Sequence, residues 1–292
     1  WAQAPPPAVE SRAQIEKHIR DKFVGKLVTL RNFYTGKKLE YNEQGEAVNG
    51  RSGIWTADGV VQVRKVNLEE GRLEIEGKRL GVFFKEPAVK PYFLNINQNV
   101  KIALAVPLSS SSSDLKDILS KVFILEMEEL WTYLPEYVRL RIEKPSKSQK
   151  MVQNDGFPPI GLVLVPKPVS AEQKSVAPME RTVPPDQMRL KQRDGTFITA
   201  SKDRLKAPKA IIVPEPEYSL AGRAAHVQGV VVISMVVTEQ GRPEELSVTR
   251  PLGGGLDEQA LLTLQQWRFK PATLDGNPIS VKINIEINFN LY

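Results

Sequence analysis

The chain has 292 residues with 40 Lys/Arg and 34 Asp/Glu, and its 41% apolar and 25% charged residues are the composition of a globular protein. It has no cysteine and two histidines, His18 and His226, which excludes thiol nucleophiles, disulfide frameworks and Cys/His zinc sites. No apolar run approaches the roughly 18 residues of a membrane-spanning helix, and a length near the upper limit for one core points to two modules.

Ala2-Gln3-Ala4, just ahead of Pro5 to Pro7, fits the small-x-small tail of a secretory signal peptide. Residues 1–25 are therefore read as the remnant of an export signal and a short helix over Val9 to Phe23. Residues 26–142 alternate strand-like runs with turn residues. Leu27 to Arg31, Lys38 to Tyr41, Gly59 to Val66, Arg72 to Glu76, Arg79 to Phe84 and Tyr92 to Val106 are rich in Val, Ile, Phe and Tyr. The expectation is a small, mainly antiparallel β domain. The Ser109 to Ser113 run reads as a flexible loop, after which Asp114 caps a helix over 114–134 that packs on the sheet through Leu115, Ile118, Leu119, Val122 and Leu125.

The net charge of +6 sits in the middle of the chain: residues 143–210 hold 13 Lys/Arg against 7 Asp/Glu, with 9 of the 22 prolines. With only Phe157 and Phe197 as aromatics, residues 143–206 read as a basic, Pro-rich linker, although Ile160 to Val165 has the character of a strand that pairs onto a neighbouring sheet. Basic pairs in the first module, such as Lys37-Lys38 and Lys78-Arg79, are interleaved with Glu40, Glu74 and Glu76, so a nucleic-acid surface is not expected. Metal-protease, nucleophile-elbow and phosphate-loop motifs are absent, and Gly253-Gly254-Gly255 reads as a flexible turn. No acid/base pair is singled out by spacing, so no catalytic residue, cofactor or metal is assigned.

From residue 207 the pattern sharpens. Ser219 caps a helix from Leu220, and Val230 to Thr238 is apolar on nearly both faces, as a central strand is. The turn Glu239 to Arg242 returns Leu246 to Arg250 beside it. A helix follows with Asp257 and Glu258 in its first turn and Leu256, Ala260, Leu264 and Trp267 along one side. In the last strand Val281, Ile283, Ile285, Ile287, Phe289 and Leu291 alternate with Lys282, Asn284, Glu286, Asn288 and Asn290. The fold class is α+β, and residues 207–292 form an α-β-β-α-β set that folds alone as a three-stranded antiparallel sheet of order 2-1-3, with the final strand at an edge.

Pro216-Glu217-Tyr218, Gln228-Gly229-Val230-Val231-Val232, Gly241-Arg242, Gly255-Leu256-Asp257-Glu258-Gln259-Ala260, Trp267-Arg268-Phe269-Lys270-Pro271-Ala272 and Asp275-Gly276-Asn277-Pro278 stand in order and spacing. Through them residues Pro214 to Tyr292 resemble the TonB C-terminal domain family. The chain departs from the family at Tyr218-Ser219, where Tyr-Pro is usual. The resemblance implies a periplasmic module that recruits an outer-membrane transporter by pairing with its extended N-terminal box segment. Inner-membrane motor proteins are implied as partners if an anchor precedes Trp1. The partner-binding residues are then Lys282, Ile283, Asn284, Ile285, Glu286, Ile287, Asn288, Phe289 and Asn290 of the edge, with Pro216 and Tyr218 beside them. Gly229, Gly241, Leu256, Asp257, Ala260, Trp267, Phe269, Pro271, Gly276 and Pro278 are structural. A non-enzymatic energy-coupling module is the first reading, an envelope scaffold using the same fold the second, and an enzyme with its site in the first module the third. The linker or a second copy of the chain, forming a homodimer, are alternative occupants of the edge.

Overall fold

A computed structural model of the chain describes residues 11–69, 71–85, 90–125, 127–139, 189–191, 197–198 and 204–291. The export-signal residues and the Ile160 to Val165 run lie outside them. The chain divides into two compact units, one of Trp1–Val82 with Phe93–Val163 and one of Phe83–Tyr92 with Leu164–Tyr292.

The first unit opens with helix α1 (Arg12–Phe23), whose N-cap Ser11 and Gln14 exchange capping-box hydrogen bonds, and whose Ile15, Ile19 and Phe23 recur every four residues on the buried face. Six strands follow in a sheet of order β2-β5-β4-β3-β1-β6: β1 (Leu27–Leu30), β2 (Lys38–Tyr41), β3 (Val60–Glu69), β4 (Arg72–Lys85), β5 (Lys90–Ala105) and β6 (Phe123–Ile124). β1 with β3, β1 with β6 and β3 with β4 pair antiparallel, whereas β2 lies parallel to β5. The two strand runs expected over Arg72 to Phe84 are one strand.

The single helix expected over 114–134 is two, separated by β6, and a third short helix follows. Helix α2 (Ser112–Val122) is capped by Ser111, with Asp114 as the returning member of the box; α3 spans Met127–Tyr133 and α4 Glu136–Arg139. The break is tertiary. Phe123 and Ile124 leave the helix to pair with Leu30 and Thr29, and both are buried in strand form. The serine run is likewise ordered at its end, since Ser111 to Ser113 begin α2. Leu115, Ile118, Leu119 and Val122 join the α1 residues and the strand interior in one core, so the N-terminal helix is part of this unit rather than a preceding segment.

The second unit contains β7 (Arg189–Lys191), β8 (Phe197–Ile198), β9 (Leu205–Lys206), β10 (Lys209–Ile212), α5 (Leu220–Ala224), β11 (Gly229–Val237), β12 (Pro243–Arg250), α6 (Leu256–Gln266), β13 (Arg268–Lys270), β14 (Ala272–Leu274), β15 (Asn277–Ile279) and β16 (Val281–Phe289). Its main sheet has the order β12-β11-β16-β7-β8, with a β10-β13 pair and a β15-β14-β9 sheet beside it. The antiparallel order 2-1-3 is present as β12-β11-β16. The sheet does not stop there. β7 and β8 come from the stretch read as linker and extend it past β16, so a boundary at residue 207 cuts through this unit. The final strand is not the sheet's edge at its first two residues, because Val281 and Lys282 pair with Leu190 and Arg189.

Candidate partner-binding edge

β11 is the scaffold of the edge. Val231, Ile233, Met235 and Val237 are fully buried, and the strand pairs without interruption from Gly229 opposite Phe289 to Val237 opposite Val281. This register fixes every side chain of β16. Ile283, Ile285, Ile287 and Phe289 are buried, whereas Asn284, Glu286, Asn288 and Asn290 are exposed. A slip of one residue would exchange the two rows, so the alternating sequence holds the register.

Helix α6 buries Leu256, Asp257, Ala260, Thr263 and Leu264. Asp257 accepts from the Leu252 and Gly253 amides, each at 2.8 Å, which satisfies a buried carboxylate with backbone donors at the helix start. Ser219 caps α5 through the Gly222 amide at 3.0 Å and donates to the Gly254 carbonyl at 2.6 Å, tying the two helix starts together. Trp267, 1% exposed, closes the helix; its indole donates to the Pro214 carbonyl at 3.2 Å and its ring lies 5.9 Å from that of Phe269. Pro271 separates β13 from β14, and Asp275-Gly276 turn β14 into β15, where Pro278 lies opposite Thr273.

Two glycines are required by close approach. At Gly241, φ is 73° and a Cβ would fall 1.8 Å from the Phe269 carbonyl oxygen. At Gly254, φ is 59° and a Cβ would fall 2.1 Å from the Phe83 ring. Gly253 bridges Phe83, and the Phe84 amide donates to Leu252 at 3.0 Å. Gly253 to Gly255 are buried, so this segment is a packed slot under an aromatic ring and not the flexible turn expected.

At the far end of β16, the Tyr218 ring meets Phe289 edge-on at 5.5 Å, its hydroxyl donates to the Val227 carbonyl, and the Arg223 guanidinium lies over it at 5.8 Å. Burial pushes the Tyr218 phenol up, opposed by Arg223. Tyr218 thus supports the end of the strand, and Pro216 is half-buried just before it. His226 is exposed, with φ 51° in the turn between α5 and β11.

Along the outer side of β16, strand pairing ends at Lys282, and from Ile283 to Phe289 no strand among the described residues lies there. The exposed row beside this ladder carries one ion pair, Glu286 with Arg250 at 3.7 Å. The arrangement leaves the outer ladder of this strand able to pair with an extended backbone.

One polar cluster in the first unit was not singled out by its sequence. Arg79 is fully buried and donates to the carbonyls of Asp58, Tyr34 (2.6 Å) and Gly36 (3.0 Å). Burial lowers its pKa, opposed by Asp58 and Tyr41, and burial raises the Asp58 carboxyl. A cation spent on three backbone acceptors organises loops. Among the described residues no group of three or more His, Cys, Asp or Glu is placed to hold a metal, and no helix is long and apolar enough to cross a membrane.

Residues 214–291 match the family model described as Gram-negative bacterial TonB protein C-terminal. Residues 214–291 are thus similar to the TonB C-terminal family. Over 78 residues, 26% of its length, the chain is 32% identical to Protein TonB of Vibrio cholerae serotype O1 (strain ATCC 39315 / El Tor Inaba N16961), and the match spans 32% of that relative's length. The solution NMR structure of the Pseudomonas aeruginosa TonB CTD aligns with 29% of this chain and 86% of its own, at 20% identity and a TM-score of 0.25. The family match covers a little over a quarter of the chain, and the six-stranded sheet lies outside it.

Proposed function

We propose that this chain is a periplasmic, non-enzymatic binding protein whose TonB-type module grips the extended N-terminal box of an outer-membrane transporter in energy-coupled transport. The grip is strand addition to β16. The observation that carries this reading is the ladder from Ile283 to Phe289, open on its outer side among the described residues and flanked by an exposed row of Asn284, Glu286, Asn288 and Asn290. The buried row beneath it keeps the strand flat against β11, and polar groups beside it discourage self-pairing without blocking a chosen backbone.

Magnitudes set the affinity. About six backbone hydrogen bonds at roughly 1 kcal/mol each are opposed by ordering about seven peptide residues at roughly 1 to 2 kcal/mol each, so side-chain burial supplies the surplus. A micromolar or weaker complex follows, which suits a contact that is released in every cycle. Isothermal titration of the chain with synthetic box peptides from outer-membrane transporters of the same organism tests it. Micromolar to sub-millimolar binding that a proline at the centre of the peptide abolishes is the expected result. No heat of binding at millimolar peptide contradicts it.

A further inference from the structure

We propose that the chain carries its own resident strand on the partner-binding edge, and that β7 competes with an incoming peptide for the start of β16. The inference rests on the strand-addition reading above and adds a regulatory element to that site. Leu190 and Arg189 pair antiparallel with Val281 and Lys282, and Leu190 and Lys191 in turn pair with Ile198 and Phe197.

A two-strand arm of this kind occupies the same side of β16 that strand addition requires. It leaves Ile283 to Phe289 and removes Val281 and Lys282. A peptide long enough to run the whole strand must displace β7, and one that does not is confined to the remainder. The arm is weakly held in its own right, because its strands have three and two residues and pair at two positions with β16 and at two with each other, and a two-stranded hairpin is marginal in water. It therefore acts as a displaceable cover that sets how much ladder is on offer and lowers the apparent affinity for long peptides.

The test uses the full chain and two variants: residues 189–198 replaced by a Gly/Ser segment of equal length, and Leu190→Pro, which breaks the arm at one position if the larger change disturbs folding. A synthetic transporter box peptide is titrated into each while backbone amide shifts are followed. Loss of one or two ladder hydrogen bonds with β7 predicts binding about tenfold tighter in the variants. The Val281 and Lys282 amides should also join the perturbed set at lower peptide concentration in the variants than in the parent chain. Equal affinity in all three proteins, with the same residues perturbed, overturns the resident strand and leaves strand addition standing. Absence of binding in all three at millimolar peptide overturns both.

Discussion

The two sheets treat their polar backbone in opposite ways. The first unit ends its six-stranded sheet in β2 and β6, of four and two residues, and sinks a whole guanidinium, Arg79, to absorb loop carbonyls from Tyr34, Gly36 and Asp58. The second unit has a nine-residue strand, β16, whose outer side is paired at Val281 and Lys282 and then, among the described residues, at no further strand. Short edges are the usual protection against unwanted pairing. A long edge with a buried row beneath it and asparagines beside it is what the proposed strand addition requires.

The largest expected effect removes the support of that edge. Trp267→Ala should destabilise the second unit by roughly 3 to 5 kcal/mol, as truncation of a buried aromatic does, and peptide binding should vanish with the fold. Urea unfolding read from amide intensities of β11 and β16 measures it, and a loss under about 1 kcal/mol would show that the indole holds nothing. Gly241→Ala strains the turn that sends β11 into β12 and drives a methyl into the Phe269 carbonyl. It should cost roughly 1 to 3 kcal/mol, and the same unfolding curves would contradict it by overlaying those of the parent chain.

The smallest effect belongs to the first unit and follows from Asp58. Burial raises its folded-state pKa above the unfolded value, so the native state binds the proton more tightly. That contribution is fully present below the unfolded carboxylate pKa and is lost as pH rises through the folded one. Asp58→Asn should flatten the fall in first-unit stability as pH rises above the ordinary carboxylate range, with β16 amide shifts unchanged. Parallel pH profiles in parent and variant would remove Asp58 from the account.

Periodicity carried much of the second unit. The alternation from Val281 to Leu291 gave β16 and its faces, and the order of β12, β11 and β16 followed from a hairpin and one helical crossover. What local pattern does not encode is pairing with a distant segment. Arg189 to Lys191 sits in a basic, Pro-rich stretch with no apolar period, and its place beside Val281 depends on the rest of the sheet. Phe123-Ile124 continues a helical apolar face in sequence and becomes strand because β1 offers it a ladder. Gly253 to Gly255 reads as slack until Phe83, far away in the chain, fills the space that side chains would have taken. Arg79 follows Lys78 in a strand, where an exposed cation is the default, and its burial follows from carbonyls that loops bring to it.

Amide chemical-shift mapping of the full chain against transporter box peptides tests the central claim most directly. The account predicts a continuous series of perturbed amides along Ile283 to Asn290, saturating with one affinity, and little change on β12 at the opposite side of β11. Perturbations confined to other elements, or none at millimolar peptide, would contradict recognition by this strand.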